Sequence, residues 1–169
     1  ADAADVFQAI VLAAPAGLGA SAEHDVRAPA AVTLLEAMRI AAQRDRIAWN
    51  YSHDFADIFD LGLPRLRDAA KRGWPAPLAT TSVYLGFLST IPDTLIERKF
   101  GRPQALEVQA EAKALAPKLN DSGDPGDGDQ VLEDFDRSLK SRGLNPGTSA
   151  DLTVATLFAA SVQALELRG

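Results

Sequence analysis

Apolar residues recur at three- and four-residue intervals almost throughout this chain, as in Leu34, Leu35, Met38 and Ala42, or Phe158, Val162 and Leu165. Such spacing returns each side chain to one face of a helix, whereas a half-buried strand needs strict alternation. No alternating β-branched run occurs, so the fold class is all-α. Proline punctuates the pattern: Pro29, Pro64, Pro77, Pro92 and Pro103 each precede a periodic stretch. A missing N–H costs nothing in a first helical turn, so each marks a helix start.

The spacing predicts a first helix through Val6, Phe7, Ile10 and Val11, then a long one from about Pro29 to Tyr51 that carries Trp49. A short element from Phe55 to Phe59 precedes helices over Pro64 to Arg72, Pro77 to Thr90 and Pro103 to about Leu115. The Asp- and Gly-rich stretch 120–129 has the turn-former density of a solvated loop. After it come a helix through Val131, Leu132, Phe135 and Leu139, closed by Gly143, and a last one over roughly Thr148 to Leu167. With 169 residues and no internal repeat, the expectation is a single domain over 1–169. Its architecture is a bundle of roughly seven to eight helices.

Charge narrows the partners. Seventeen Lys+Arg against 23 Asp+Glu give a net charge of −6, which offers no broad attraction to nucleic acid or anionic lipid. Any anionic ligand has to be met locally, and 12 of the 17 basic residues are Arg, whose planar fork suits phosphate and carboxylate. The absence of cysteine excludes disulfides, thiolate metal sites and a Cys nucleophile. No apolar run is long enough to span a bilayer, and Ala1-Asp2-Ala3-Ala4-Asp5 lacks the basic start of a signal peptide. A cytoplasmic protein without membrane or nucleic-acid partners is expected.

Polar residues are denser than a core needs in four places. Asn145-Pro-Gly-Thr-Ser-Ala-Asp151 leads into the last helix: Pro146 and Gly147 set a turn, Thr148 can cap the helix, and Asp151 can reach back as in a capping box. The same amides and hydroxyls also make an anion site at a helix N-terminus. Arg44-Asp45-Arg46, with Tyr51 and His53 further on, falls at the end of the long helix and reads either as a solvated charge cluster or as a site with a paired Asp. Glu23-His24-Asp25 is a surface loop or a cation- or base-positioning triplet. In Pro92-Asp93-Thr94-Leu95-Ile96-Glu97-Arg98-Lys99, helix electrostatics account for Asp93 as the second helical residue and for Arg98 and Lys99 in the last turn. The loop at 120–129 fails the EF-hand spacing, and no GxGxxG, Walker A, HExxH or GxSxG string is present.

Taken in order, His24-Asp25-Val26, Leu34-Leu35-Glu36-Ala37-Met38, Ala41-Ala42-Gln43-Arg44-Asp45-Arg46-Ile47-Ala48, the run from Pro92 to Gly101, and Asn145 to Thr153 resemble the triphosphoribosyl-dephospho-CoA synthase family. The likeness covers nearly the whole chain. Members of this all-helical family usually carry an additional N-terminal half with Pro-Lys-Pro-Gly and Asn-Thr-x-Leu-Gly type motifs. Neither string occurs in these 169 residues, so the resemblance is to the C-terminal half. It implies a transferase that joins the triphosphoribosyl group of ATP to dephospho-CoA with loss of adenine, in prosthetic-group biosynthesis.

By the same resemblance Asp25 and Asp45 are the catalytic candidates. Arg44, Arg46 and Lys99 would hold phosphates, and the turn with Asn145, Gly147, Thr148 and Asp151 would bind nucleotide. Mg2+ would accompany ATP, with no tightly bound organic cofactor and with metal ligands left unassigned. A homo-oligomer, or a partner chain that supplies the missing half, is implied too. The alternative is a truncated or degenerate paralogue that serves as a nucleotide-binding or helical interaction scaffold. In that case Pro77 to Thr90, apolar nearly all round, is the helix expected to lose its cover.

Overall fold

A computed structural model describes residues 33–121 and 125–166, and every regular element among them is helical. The chain divides into two compact units, one ending at Asp54 and the other beginning at Phe55.

In the first unit, α1 (Leu34–Ala41) opens on a capping box. Thr33 Oγ1 accepts from the Glu36 amide at 3.3 Å, and the Glu36 carboxylate accepts from the Thr33 amide at 2.8 Å. The single long helix expected from Pro29 to Tyr51 is interrupted: α1 ends near Ala41 and α2 (Arg46–Ser52) starts afresh. The cause is Asp45. Its backbone is extended (φ −138, ψ 118), and its carboxylate caps the amides of Ile47 and Ala48 at 2.9 and 3.1 Å. An Asp that satisfies two orphan amides makes a new helix start cheaper than continuation. The two helices pack against each other, with Ala48 and Asn50 buried.

The second unit starts with a π-helical turn, Asp57–Gly62, that runs into α3 (Leu63–Lys71). There follow α4 (Ala76–Thr90), α5 (Thr94–Phe100), α6 (Arg102–Asp121), α7 (Pro125–Ser141) and α8 (Gly147–Glu166). The apolar circumference of α4 explains its place: it packs on α3, α6, α8 and the π-turn. Val83, Leu85, Phe87 and Leu88 on it are buried. The helix expected to lose its cover is thus the centre of this unit. Ala105, Val108 and Ala112 put small buried side chains on α6, which lets it lie close to α4. Leu139 and Leu144 complete that core, with Leu132 and Phe135 against it.

The stretch expected as a loop over 120–129 is helical up to Asp121 and again from Pro125. Gly143 closes α7 at φ 66, a conformation that favours glycine, and the Leu144 amide reaches back to the Leu139 carbonyl at 2.9 Å. Arg142 then clamps Glu111 of α6 through two bonds of 2.8 and 2.7 Å. That pairing holds the Arg142 guanidinium even above its usual basicity. No described helix is long and apolar enough to cross a membrane.

Candidate functional site

Two helix N-termini meet at Asp93, which is 1% exposed. Extended backbone at Asp93 makes it the N-cap of α5 and not its second helical residue. One carboxylate oxygen, Oδ1, accepts from the amides of Leu95 and Ile96 at 3.0 and 3.2 Å. The other, Oδ2, crosses to α8 and accepts from both the amide and the hydroxyl of Ser149 at 2.9 Å. A helix N-terminus favours negative charge, and here one buried carboxylate serves two of them.

Thr148 completes the junction. Its Oγ1 lies 3.0 Å from Thr94 Oγ1 and accepts from the Leu95 amide at 3.2 Å. The expected place of Thr148 as the cap of this helix is corrected: α8 already begins at Gly147, the Thr148 hydroxyl serves α5, and Asp93 serves α8. Gly147 matters because a Cβ there would lie 2.5 Å from Leu95 Cδ2. Its amide donates to the Asn145 carbonyl at 2.8 Å. Asn145 and Asp151 are exposed, whereas Thr148 and Ser149 are buried. Lys99 is exposed in the last turn of α5, five residues beyond Thr94, or about 7.5 Å along the helix axis.

Arg44, Asp45 and Arg46 stand together in the first unit. Arg44 is exposed in the turn before α2, Asp45 is the half-buried cap, and the Arg46 guanidinium lies 3.6 Å from the centre of the Trp49 ring. The His53 imidazole stacks on the same indole at 4.1 Å and 11°, with Nδ1 2.8 Å from the Trp49 carbonyl. Positions 46, 49 and 53 follow helical spacing, which gathers cation, indole and imidazole. Asp25, with Glu23 and His24, lies outside the described residues.

Sequence reasoning passed over the segment between these clusters. Asp54 and Phe55 hold φ values of 53 and 57, unusual for side chains of their kind. The π-turn follows, a form concentrated at functional sites. Its first residue, Asp57, is a buried carboxylate. At its end a Cβ on Gly62 would meet Thr156 Oγ1 at 2.2 Å and Phe87 Cζ at 2.8 Å. In α4, Gly86 leaves room for Arg65 in the same way. A lone glycine inside an apolar helical pattern was the available signal, since it weakens a helix unless packing needs it. Beside Asp93, Tyr84 on α4 is half-buried. Burial, then the charges of Asp93 and Asp136, push its phenol well above the usual 10.

No group of three His, Cys, Asp or Glu side chains that could hold a metal ion is gathered among the described residues. The model of the ATP:dephospho-CoA triphosphoribosyl transferase family, CitG, matches residues 1–168. The chain belongs to this family. No solved structure matches it. The family match spans the Asp45 cap, the Asp93 junction and the Asp25 triplet alike. CitG family membership brings a transferase of triphosphoribosyl-dephospho-CoA synthase type, with ATP and dephospho-CoA as the family's substrates.

Proposed function

We propose that this protein transfers the triphosphoribosyl group of ATP to the ribose 2′-hydroxyl of dephospho-CoA and releases adenine, as a step in prosthetic-group biosynthesis. The family match over residues 1–168 carries this reading. In the reaction the bond from C1′ to adenine N9 breaks and a bond from C1′ to O2′ forms. The 2′-hydroxyl proton passes to a base, and adenine leaves with the bonding pair and takes up a proton. The transition state has oxocarbenium character, so it calls for a carboxylate near the sugar and cations on the phosphates.

Asp45 or Asp25 is proposed as the base, and Arg44, Arg46 and Lys99 as phosphate contacts. In support, Asp45 is held by two amides between two arginines. At the turn into α8 the Thr148 hydroxyl and the Ser149 amide already serve Thr94, Leu95 and Asp93. We therefore assign nucleotide contact in this turn to the exposed Asn145 and Asp151, with Gly147 and Thr148 shaping the backbone. Mg2+ belongs with the ATP phosphates, since it keeps several waters and seldom sits in an all-protein cage. We propose the cytoplasm as its location, in keeping with ATP as donor.

The test is incubation of the chain with ATP, Mg2+ and dephospho-CoA, with adenine and the coupled product followed by mass spectrometry. Equal amounts of adenine and product are expected. A folded chain that releases no adenine sinks the enzymatic reading. One observation favours the scaffold reading instead: Val154, Phe158, Val162 and Leu165 form an exposed apolar stripe along α8, with Phe158 at 69% exposure. On that reading the chain associates with itself or a partner chain, and a monomer by light scattering at high concentration argues against it.

A further inference from the structure

We propose that Arg65 is an anion-binding residue that takes a phosphoryl group, and that Gly86 exists to seat it. Arg65 is the third residue of α3, and Gly86 is buried in the middle of α4. A Cβ at position 86 would lie 2.3 Å from Arg65 Cδ, 2.4 Å from Nε and 2.9 Å from Cζ. The guanidinium therefore rests directly against the α4 backbone, in space that any side chain at 86 would fill. Glycine within a helix forfeits helix stability relative to alanine, and the three atoms nearest to that Cβ position all belong to Arg65.

The second observation is what this guanidinium touches. Three of the described arginines are half-buried: Arg46, Arg65 and Arg142. Arg46 lies over Trp49, and Arg142 grips Glu111 with two nitrogens. Arg65 makes no hydrogen bond or ion pair with any described residue. A guanidinium carries five donors in a fixed fork and cannot discharge by losing its proton. Drawing such a group partly out of water without a counter-charge is unfavourable, so the arrangement stays one-sided until an oxyanion completes it. The fork matches phosphate oxygens in pairs. The neighbourhood is otherwise built for close approach, with Gly62 three residues before Arg65 admitting Thr156 and Phe87.

Which phosphoryl group arrives rests on the function proposed above: the triphosphate of ATP or the pyrophosphate of dephospho-CoA. The experiment separates that question from the site itself. Calorimetry of the full chain with inorganic tripolyphosphate and with pyrophosphate is run on the wild type, Arg65→Gln, Gly86→Ala and Arg67→Gln. Arg67 is exposed on the same helix and donates to Gln163, so Arg67→Gln controls for charge alone. Arg65→Gln and Gly86→Ala are each expected to weaken binding at least tenfold, and Arg67→Gln to leave it unchanged.

Gly86→Ala displaces only a flexible side chain and adds a better helix former, so it keeps the fold and decides the matter even where Arg65→Gln unfolds. Wild-type affinity in folded Gly86→Ala or Arg65→Gln overturns the proposal, as does a wild type that binds neither anion. In the adenine-release assay, a KM increase confined to ATP assigns the triphosphate, and one confined to dephospho-CoA assigns its pyrophosphate. Arg65-dependent anion binding without adenine release keeps the site and removes the proposed reaction. Adenine release and anion binding that are both indifferent to Arg65 keep the reaction and remove the site.

Discussion

Asp45 and Asp93 perform the same local task in two different units. Each stands in extended backbone at a helix start, and each presents Oδ1 to the amides two and three residues ahead. They differ in burial. The second oxygen of Asp93 accepts two further bonds from Ser149 of α8, in a place closed to water. Asp45 is only half-buried and sits between Arg44 and Arg46. An N-cap motif therefore says little about function by itself. A carboxylate with every lone pair spent on the fold is a structural tie, and one that is held but still near water can also meet a ligand.

The widest separation between the two is expected on truncation. Asp93→Ala strips partners from the amides of Ile96 and Ser149 and from the Ser149 hydroxyl, all within a buried junction. The loss should be about 3 kcal/mol or more, in the range for breaking a buried, hydrogen-bonded charge. Urea unfolding measures it, and a loss under about 1 kcal/mol, the cost of an ordinary cap, would show that Asp93 is no more than a second Asp45. Next comes Gly62→Ala, where the new methyl overlaps Thr156 and Phe87. Overpacking of this kind costs about 1–3 kcal/mol. A melting temperature equal to wild type would mean the π-turn can shift, and that its glycine does not fix the approach of α8 and α4.

Asp45→Ala should cost about 1 kcal/mol, as cap removals do. The sharper variant is Asp45→Asn, because Asn caps helices as well as Asp does but cannot serve as a base. If Asp45 is the base, adenine release should fall by a factor of about 10²–10⁴ while melting barely moves. Unchanged turnover in Asp45→Asn would transfer that role to Asp25 or Asp57 and leave Asp45 a cap like any other.

Much of this architecture was legible because helix periodicity and proline placement act locally. Phe158, Val162 and Leu165 announce α8 without knowledge of any neighbour, and Gly143 announces the end of α7. The break at Asp45 escaped because apolar spacing continues from Met38 through Ala42 to Trp49. Only the competition between a side-chain cap and the next helical turn decides it, and that is a matter of tenths of a kcal/mol per residue. At the turn into α8 the hydroxyls and amides were visible in the sequence, but their partner was not. Asp93 lies 56 residues away from Ser149, and no rule of local spacing connects them. Arg65 was silent for the same reason, and Gly86, a lone glycine in an apolar helix, signalled close packing without naming its partner: the pairing exists only once α3 and α4 have packed.

The smallest expected effect tests the electrostatics of the Asp93 junction without dismantling it. Tyr84 keeps its phenol proton well above pH 10 in the folded chain, through burial first and then the charges of Asp93 and Asp136. An unfolded tyrosine gives up its proton near 10. Above that pH the unfolded state holds fewer protons than the folded one, so stability falls as pH rises, and below it Tyr84 contributes no pH dependence. Tyr84→Phe removes the titrating group while it preserves the ring. At pH 7 the variant should melt within about a degree of wild type, the usual scale for a shift of a few tenths of a kcal/mol in a chain of this size. Between pH 10 and 11.5 it should become progressively the more stable of the two. If the two curves stay parallel across that window, the phenol is not shielded, and the region around Asp93 is more open to water than the buried tie requires.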